Sequence, residues 1–172
     1  SIIPNRKIST YLLLFFFIMF VGLRYEVGGD WCNYQFMSRV YENFPFFLFH
    51  EAEYLFDISI FLSAYFKTGI YGSNIFFAFI FFYSLHKFLK QLPYYFLGFT
   101  ICIPIQIIIL TMGFAQQSAA VAFILLSILA LRENKVFLFI FYILVASLFH
   151  NTAIIMFVLY FSVINISNIH KL

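Results

Sequence analysis

The chain has 172 residues, 64% of them hydrophobic and only 10% charged. Soluble domains carry roughly a quarter charged residues, so this composition excludes a water-soluble fold and points to an integral membrane protein. The net charge of +3 is small and dispersed, without the basic, aromatic-interleaved clusters of a nucleic-acid binder.

Ser1–Ser9 is a polar lead-in with Pro4, Arg6 and Lys7. Thr10–Leu23 predicts an apolar helix, short for a bilayer by an amount that tilt or local thinning absorbs. Arg24–Glu53 is the longest non-membrane segment and is net acidic, with Glu26, Asp30, Glu42, Glu51 and Glu53 against Arg24 and Arg39. Tyr54–Phe66 predicts a short helix bearing Asp57, and Lys67–Asn74 a glycine-containing turn. Ile75–Leu89 predicts a helix whose end carries His86, Lys87 and Lys90. Tyr94–Met112 is a full-length span, with Pro104 predicting a kink. Phe114–Leu131 is another, closed by the tight basic turn Arg132-Glu133-Asn134-Lys135. Val136–Phe149 and Thr152–Ile166 form a final hairpin around His150-Asn151, with Asn151 placed to cap the second helix. Residues 1–172 thus read as a single transmembrane domain, all-α, with no repeat and no soluble part. Ser1 at one end and Leu172 straight after a helix read as a piece of a longer membrane protein.

Basic residues favour the cytoplasmic side. Arg6-Lys7, His86-Lys87-Lys90 and Arg132-Lys135 are therefore expected inside, and Arg24–Glu53, the Met112–Gln117 corner and His150 outside. Parity holds only if Tyr54–Phe66 is re-entrant or interfacial, as its Asp57 suggests, because buried charge is costly in lipid. Three polar sites then converge on one outer face.

The densest of these is Gly22-Leu23-Arg24-Tyr25-Glu26-Val27-Gly28-Gly29-Asp30-Trp31-Cys32-Asn33-Tyr34. Gly28-Gly29 breaks a helix and admits close backbone approach to a ligand. Tyr25, Trp31 and Tyr34 are aromatics of the membrane–water boundary. The guanidinium of Arg24 suits a phosphate or carboxylate; snorkelling to the interface is the competing reading. Asp30 reads as a general base, as the partner holding Arg24, or as a solvated carboxylate. Glu51 and Glu53 precede a helix, where the macrodipole favours an acid anyway.

Gln116 and Gln117 open a helix followed by Ser118, Ala119, Ala120 and Ala122. The small residues permit close helix packing, and the paired amides suit sugar hydroxyls. His150 is a histidine in an apolar turn, open to proton transfer or to a purely structural hydrogen bond. Neither the cysteines, Cys32 and Cys102, nor the other histidines show metal-ligand spacing. No Walker loop, dinucleotide fingerprint, HExxH or GxSxG is present, and neither a metal nor a cofactor is expected.

Three stretches resemble a known family. Gly22–Asp30 with Trp31 and Tyr34 is similar to the opening signature of EpsG/Wzy-type bacterial polysaccharide polymerases. Met112-Gly113-Phe114-Ala115-Gln116-Gln117-Ser118-Ala119-Ala120 resembles the family's MGYxRQxxA segment. Ala146-Ser147-Leu148-Phe149-His150-Asn151-Thr152-Ala153 resembles its A-S-x-F-H-x-[ST]-A turn, and Glu51 its Glu before a short helix. The resemblance implies a polytopic, GT-C-like helix bundle in the bacterial inner membrane. It implies joining of oligosaccharide repeats, carried on undecaprenyl pyrophosphate, into O-antigen, capsule or exopolysaccharide at the outer face. Membrane lipids and a chain-length regulator protein are the implied partners. Arg24 would neutralise the pyrophosphate leaving group, and Asp30 or His150 would take the acceptor's proton, His150 being preferred because Asp30 is near enough to orient Arg24. Gly28, Gly29, Tyr34, Glu51, Gln116 and Gln117 would contact substrate. One departure stands out: Gln116 occupies the family's usual arginine position. The alternatives are a lipid-linked oligosaccharide flippase, which would spread charges along a central cavity, or an inactive, truncated remnant.

Overall fold

The computed structural model describes residues 6–43, 53–158 and 160, and they are helical with no strand among them. Seven helices are followed by a 3₁₀ turn: α1 Arg6–Gly22, α2 Trp31–Asn43, α3 Tyr54–Tyr65, α4 Gly69–Leu89, α5 Tyr95–Cys102, α6 Ala115–Arg132 and α7 Val136–Phe149. The 3₁₀ turn is Asn151–Phe157. By length and composition α6 is long and apolar enough to cross a membrane, whereas the apolar helices α1, α3 and α7 are shorter. The outward faces of α1, α5 and α7 are greasy: Phe15, Ile101 and Phe137 are exposed, the last to 91%.

Four differences from the sequence expectation have local causes. The acidic segment after α1 contains a helix, α2, whose buried side chains Trp31, Tyr34, Ser38 and Tyr41 follow a helical spacing. α4 begins at Gly69, so the expected turn is confined to residues 66–68. Around Pro104 the span does not simply kink. α5 runs on into a π-helix, Ile103–Thr111, because proline cannot donate an N–H and its ring crowds the preceding carbonyls, which the wider π-turn relieves. Thr111 Oγ1 then donates to the Gln106 carbonyl five residues back, at 2.5 Å. Finally, the helix expected over Thr152–Ile166 starts as the 3₁₀ turn, and most of its remainder lies outside the described residues.

Lys7, Lys87, Lys90 and Lys135 gather at one end. The Tyr11 and His86 rings lie 5.8 Å apart, the Tyr95 hydroxyl meets His86 Nδ1 at 2.9 Å, and Lys87 interacts electrostatically with Glu133 of the α6–α7 turn. α3 does not reach that end. It packs along the first half of α4, with Phe56 stacked on Phe77 at 5.6 Å and Ser63 Oγ accepting from the Ser73 N–H at 3.0 Å.

Beside a small cluster around Ala130, Phe139 and Ile143, two larger apolar clusters fill the interior. One joins Trp31, Phe56, Phe77, Ala119 and Phe149 beneath the polar end. The other joins α1, α4, the π-helix and α6 through Phe81, Phe82, Phe99, Ile107 and Ala122. Ala119 and Ala122 are fully buried, so small side chains set the close approach of α6. Gly22 does the same for α1: a Cβ there would lie 2.6 Å from Ile75 Cγ1 and 2.9 Å from its Cα. Gly22→Val is accordingly expected to destabilise the fold by about 1–3 kcal/mol, read as an earlier thermal transition in detergent; an unchanged transition would mean that α1 does not seat on α4 as described.

Candidate functional site

Arg24, Asn74, Glu53, Gln116 and His150 come together in the half of the bundle opposite Lys87 and Lys90. α1 delivers Arg24, α4 Asn74, α6 Gln116 and α7 His150, and Glu53 stands one residue ahead of α3. The Gly22–Ile75 approach brings Arg24 beside Asn74, and the guanidinium is 6% exposed. Its Nη2 donates to Asn74 Oδ1 at 3.1 Å, Nη1 to the Val21 carbonyl at 3.1 Å and Nε to the Val27 carbonyl at 3.3 Å. Each acceptor is neutral. Burial, only partly offset by Tyr34, lowers the Arg24 pKa to about 10, so the group stays charged at neutral pH. A buried cation held by neutral oxygens is poised for an anion, because its desolvation is not balanced by an opposite charge.

The loop after Arg24 is pinned to the second motif. Gly28 has φ +109, and a Cβ on it would come within 2.4 Å of the Met112 carbonyl oxygen. What the glycine admits is thus the backbone of the Met112–Gly113 corner, while Gly29 lies open beside the Phe114 ring. From there Asp30 starts α2, and its Oδ2 accepts from the Tyr34 hydroxyl at 3.0 Å. The sequence allowed Asp30 to hold Arg24; in the structure the carboxylate serves Tyr34 instead. Tyr34 is 2% exposed. Burial first, then the charge and hydrogen bond of Asp30, push its pKa up, against the Gln116 backbone and Arg24, which act the other way. Tyr34 therefore lies within electrostatic reach of both Arg24 and the Gln116 backbone.

Glu53 is the hub of that second half. Buried to within 8% of full exclusion, its Oε1 meets His150 Nδ1 at 2.8 Å and accepts the Asn151 backbone N–H at 3.0 Å. Its Oε2 accepts from Gln116 Nε2. A carboxylate that takes donors on both oxygens acts as an ionised acceptor, which puts the His150 proton on Nδ1 and leaves the lone pair on Nε2. His150 is extended (φ −153, ψ 117) where α7 ends, a conformation that breaks the helix and turns the next N–H toward Glu53. Asn151 thus contributes its backbone, and no side-chain cap is formed at the start of the 3₁₀ turn.

Gln117 is half-buried beside Gln116 and takes no part in these hydrogen bonds. Glu51, the acid expected to contact substrate, lies outside the described residues, as do His50 and His170. Sequence reasoning noted Glu53 only as an acid preceding a helix. The signal available was its position directly before α3, but a contact across 97 residues of chain is not visible as spacing.

The order and convergence of these motifs agree with a family model matched over residues 7–172. The chain belongs to the EpsG family. No curated protein and no solved structure matches it. EpsG membership carries a polymerase-type role in polysaccharide biosynthesis, a lipid-linked glycan as the class of substrate and a bacterial membrane setting.

Proposed function

We propose that this EpsG-family chain polymerises oligosaccharide repeat units carried on undecaprenyl pyrophosphate into O-antigen, capsule or exopolysaccharide at the outer face of the inner membrane. The observation that carries the proposal is the Glu53–His150 pair, held by Gln116 in the same half of the bundle as a buried, anion-ready Arg24. The acceptor unit's hydroxyl attacks the anomeric carbon of the donor unit. A C–O bond forms, the anomeric C–O bond to phosphate breaks, and undecaprenyl pyrophosphate departs. His150 Nε2 takes the hydroxyl proton as general base, with Glu53 orienting the ring and stabilising the imidazolium, the role a carboxylate plays behind a catalytic histidine. Arg24 stabilises the negative charge that grows on the leaving pyrophosphate. Asp30 positions Tyr34 rather than acting as base, and Gly28 shapes the floor between them.

The multi-pass, GT-C-like membrane arrangement belongs to the same proposal. Lys7, Lys87, Lys90 and Lys135 at one end and the site at the other fit the positive-inside rule with the site outside, Lys67 in the α3–α4 turn being the exception, and the exposed phenylalanines suit lipid contact. α3 begins and ends on the site side, which supports the re-entrant reading. Residues 1–172 act as one transmembrane domain of the enzyme. The test is direct: purified full-length protein given the lipid-linked repeat unit should release undecaprenyl pyrophosphate as long chains appear. Translocation of the unit without chain growth would instead indicate a flippase.

Gln116 offers a sharper check. Its amide donates to Glu53, and an arginine there keeps a donor while adding a cation. Gln116→Arg is expected to preserve or raise chain formation, whereas Gln116→Leu strands Glu53 Oε2 and lowers it. A severe loss in the arginine variant would show that this position does not correspond to the family's arginine.

A further inference from the structure

At the basic end, far from the site, a cavity of about 720 Å³ opens between the start of α1, the end of α4 and the start of α5. Lys7 and Lys90 give it charge, Tyr11, Tyr94 and Tyr95 give it hydroxyls, and His86 lines it as well. A second cavity of about 600 Å³ shares Tyr11 and His86 with the first. It runs between α1 and α4 past Leu14, Ile18 and Phe79 to Gly72, and its walls are almost wholly carbon. From His86 to Gly72 that groove follows about 21 Å of helix, longer than one leaflet's hydrocarbon, about 15 Å.

His86 joins the two spaces and is 9% exposed. Its Nδ1 meets the Tyr95 hydroxyl at 2.9 Å, while Nε2 is buried with no hydrogen-bond partner among the described residues. In the tautomer in which Tyr95 donates to Nδ1, Nε2 carries the proton, and a buried donor without an acceptor is costly. A solvated basic face would leave no such donor. A phosphate oxygen provides the acceptor, two ammonium groups neutralise it, and tyrosines are the residues that settle at headgroup depth.

We propose that this polar pocket and its apolar groove bind a phospholipid with an anionic headgroup from the cytoplasmic leaflet. The headgroup lies among Lys7, Lys90 and His86, and an acyl chain lies between α1 and α4. Charge complementarity and the continuity of a cationic pocket with a carbon-lined groove select this occupant, since basic residues at a membrane surface attract anionic lipid. The assignment rests on the membrane reading above and is independent of the polymerase reaction.

Native mass spectrometry of the full-length protein in mild detergent tests it, with phosphatidylglycerol and phosphatidylcholine as probes. Phosphatidylglycerol should be retained preferentially, and Lys7→Gln and Lys90→Gln should each reduce that retention roughly fivefold. Both lysines are exposed, so circular dichroism should show unchanged helix content. Ile18→Trp, which fills the groove without touching the headgroup, should lower lipid retention with both lysines intact. Equal retention of the two lipids, or lysine variants that bind as the parent does, would overturn the proposal. So would displacement of the lipid by millimolar inorganic phosphate, which would indicate an anion pocket without a chain site. Retention is read without turnover. An inactive protein that still selects phosphatidylglycerol rejects the polymerase reading alone, and a polymerising protein without selectivity rejects this site alone.

Discussion

Replacing His150 with alanine is expected to lower chain formation by about 10²–10⁴-fold, the usual contribution of a positioned general base, while the protein remains in the membrane. The side chain sits at a helix end and is partly open to solvent, so its loss opens no core cavity. Glu53→Gln keeps the volume and an oxygen for the Nδ1–H, yet removes the charge that stabilises the imidazolium; it should fall between the parent and the alanine variant. Because the two residues act as a unit, the double variant should be no worse than His150→Ala alone. Additive losses would mean that Glu53 and His150 serve separate purposes. Measured per folded protein in membranes, retention of full activity by His150→Ala would reduce the pair to a structural clasp between α3 and α7.

Arg24→Ala should cost about 10²–10³-fold, as removal of a preorganised charge from a developing anion does. Its three donors reach Asn74 Oδ1 and the carbonyls of Val21 and Val27, a geometry that a lysine ammonium on a flexible stem does not reproduce. Arg24→Lys should therefore recover only part of the activity. The loss should appear in the chemical step, as a lower kcat, because the negative charge increases as the pyrophosphate leaves. A change confined to KM would assign Arg24 to holding the ground-state substrate, and undiminished polymer would remove it from the mechanism.

Much of this architecture was readable from single stretches of sequence. Val136–Phe149 emerges with the expected ends, and α6 and α1 differ by a few residues, because long apolar runs bounded by charges specify a helix with little help from elsewhere. α2 was obscured by its polar majority, although Trp31, Tyr34, Ser38 and Tyr41 carry the buried stripe. The π-helix depends on how the backbone resolves the conflict at Pro104, and sequence registers only that a conflict exists. Arg24, Gln116 and His150 were legible because each is a polar residue in an apolar setting. Their partners were not. Asn74 and Glu53 meet them across 50, 63 and 97 residues, and only packing of α1 on α4 and of α3 beside α7 creates those contacts. Asp30 shows the converse, since Tyr34 one helical turn along takes the carboxylate that proximity offered to Arg24.

The most direct test of the central claim is deletion of the intact gene in its host, followed by gel analysis of the surface glycan. The polymerase reading predicts that the long ladder collapses to a core bearing one repeat unit, and that the parent gene, but not its Arg24→Ala or His150→Ala forms, restores it. Loss of every repeat unit, or an unchanged ladder, would contradict it.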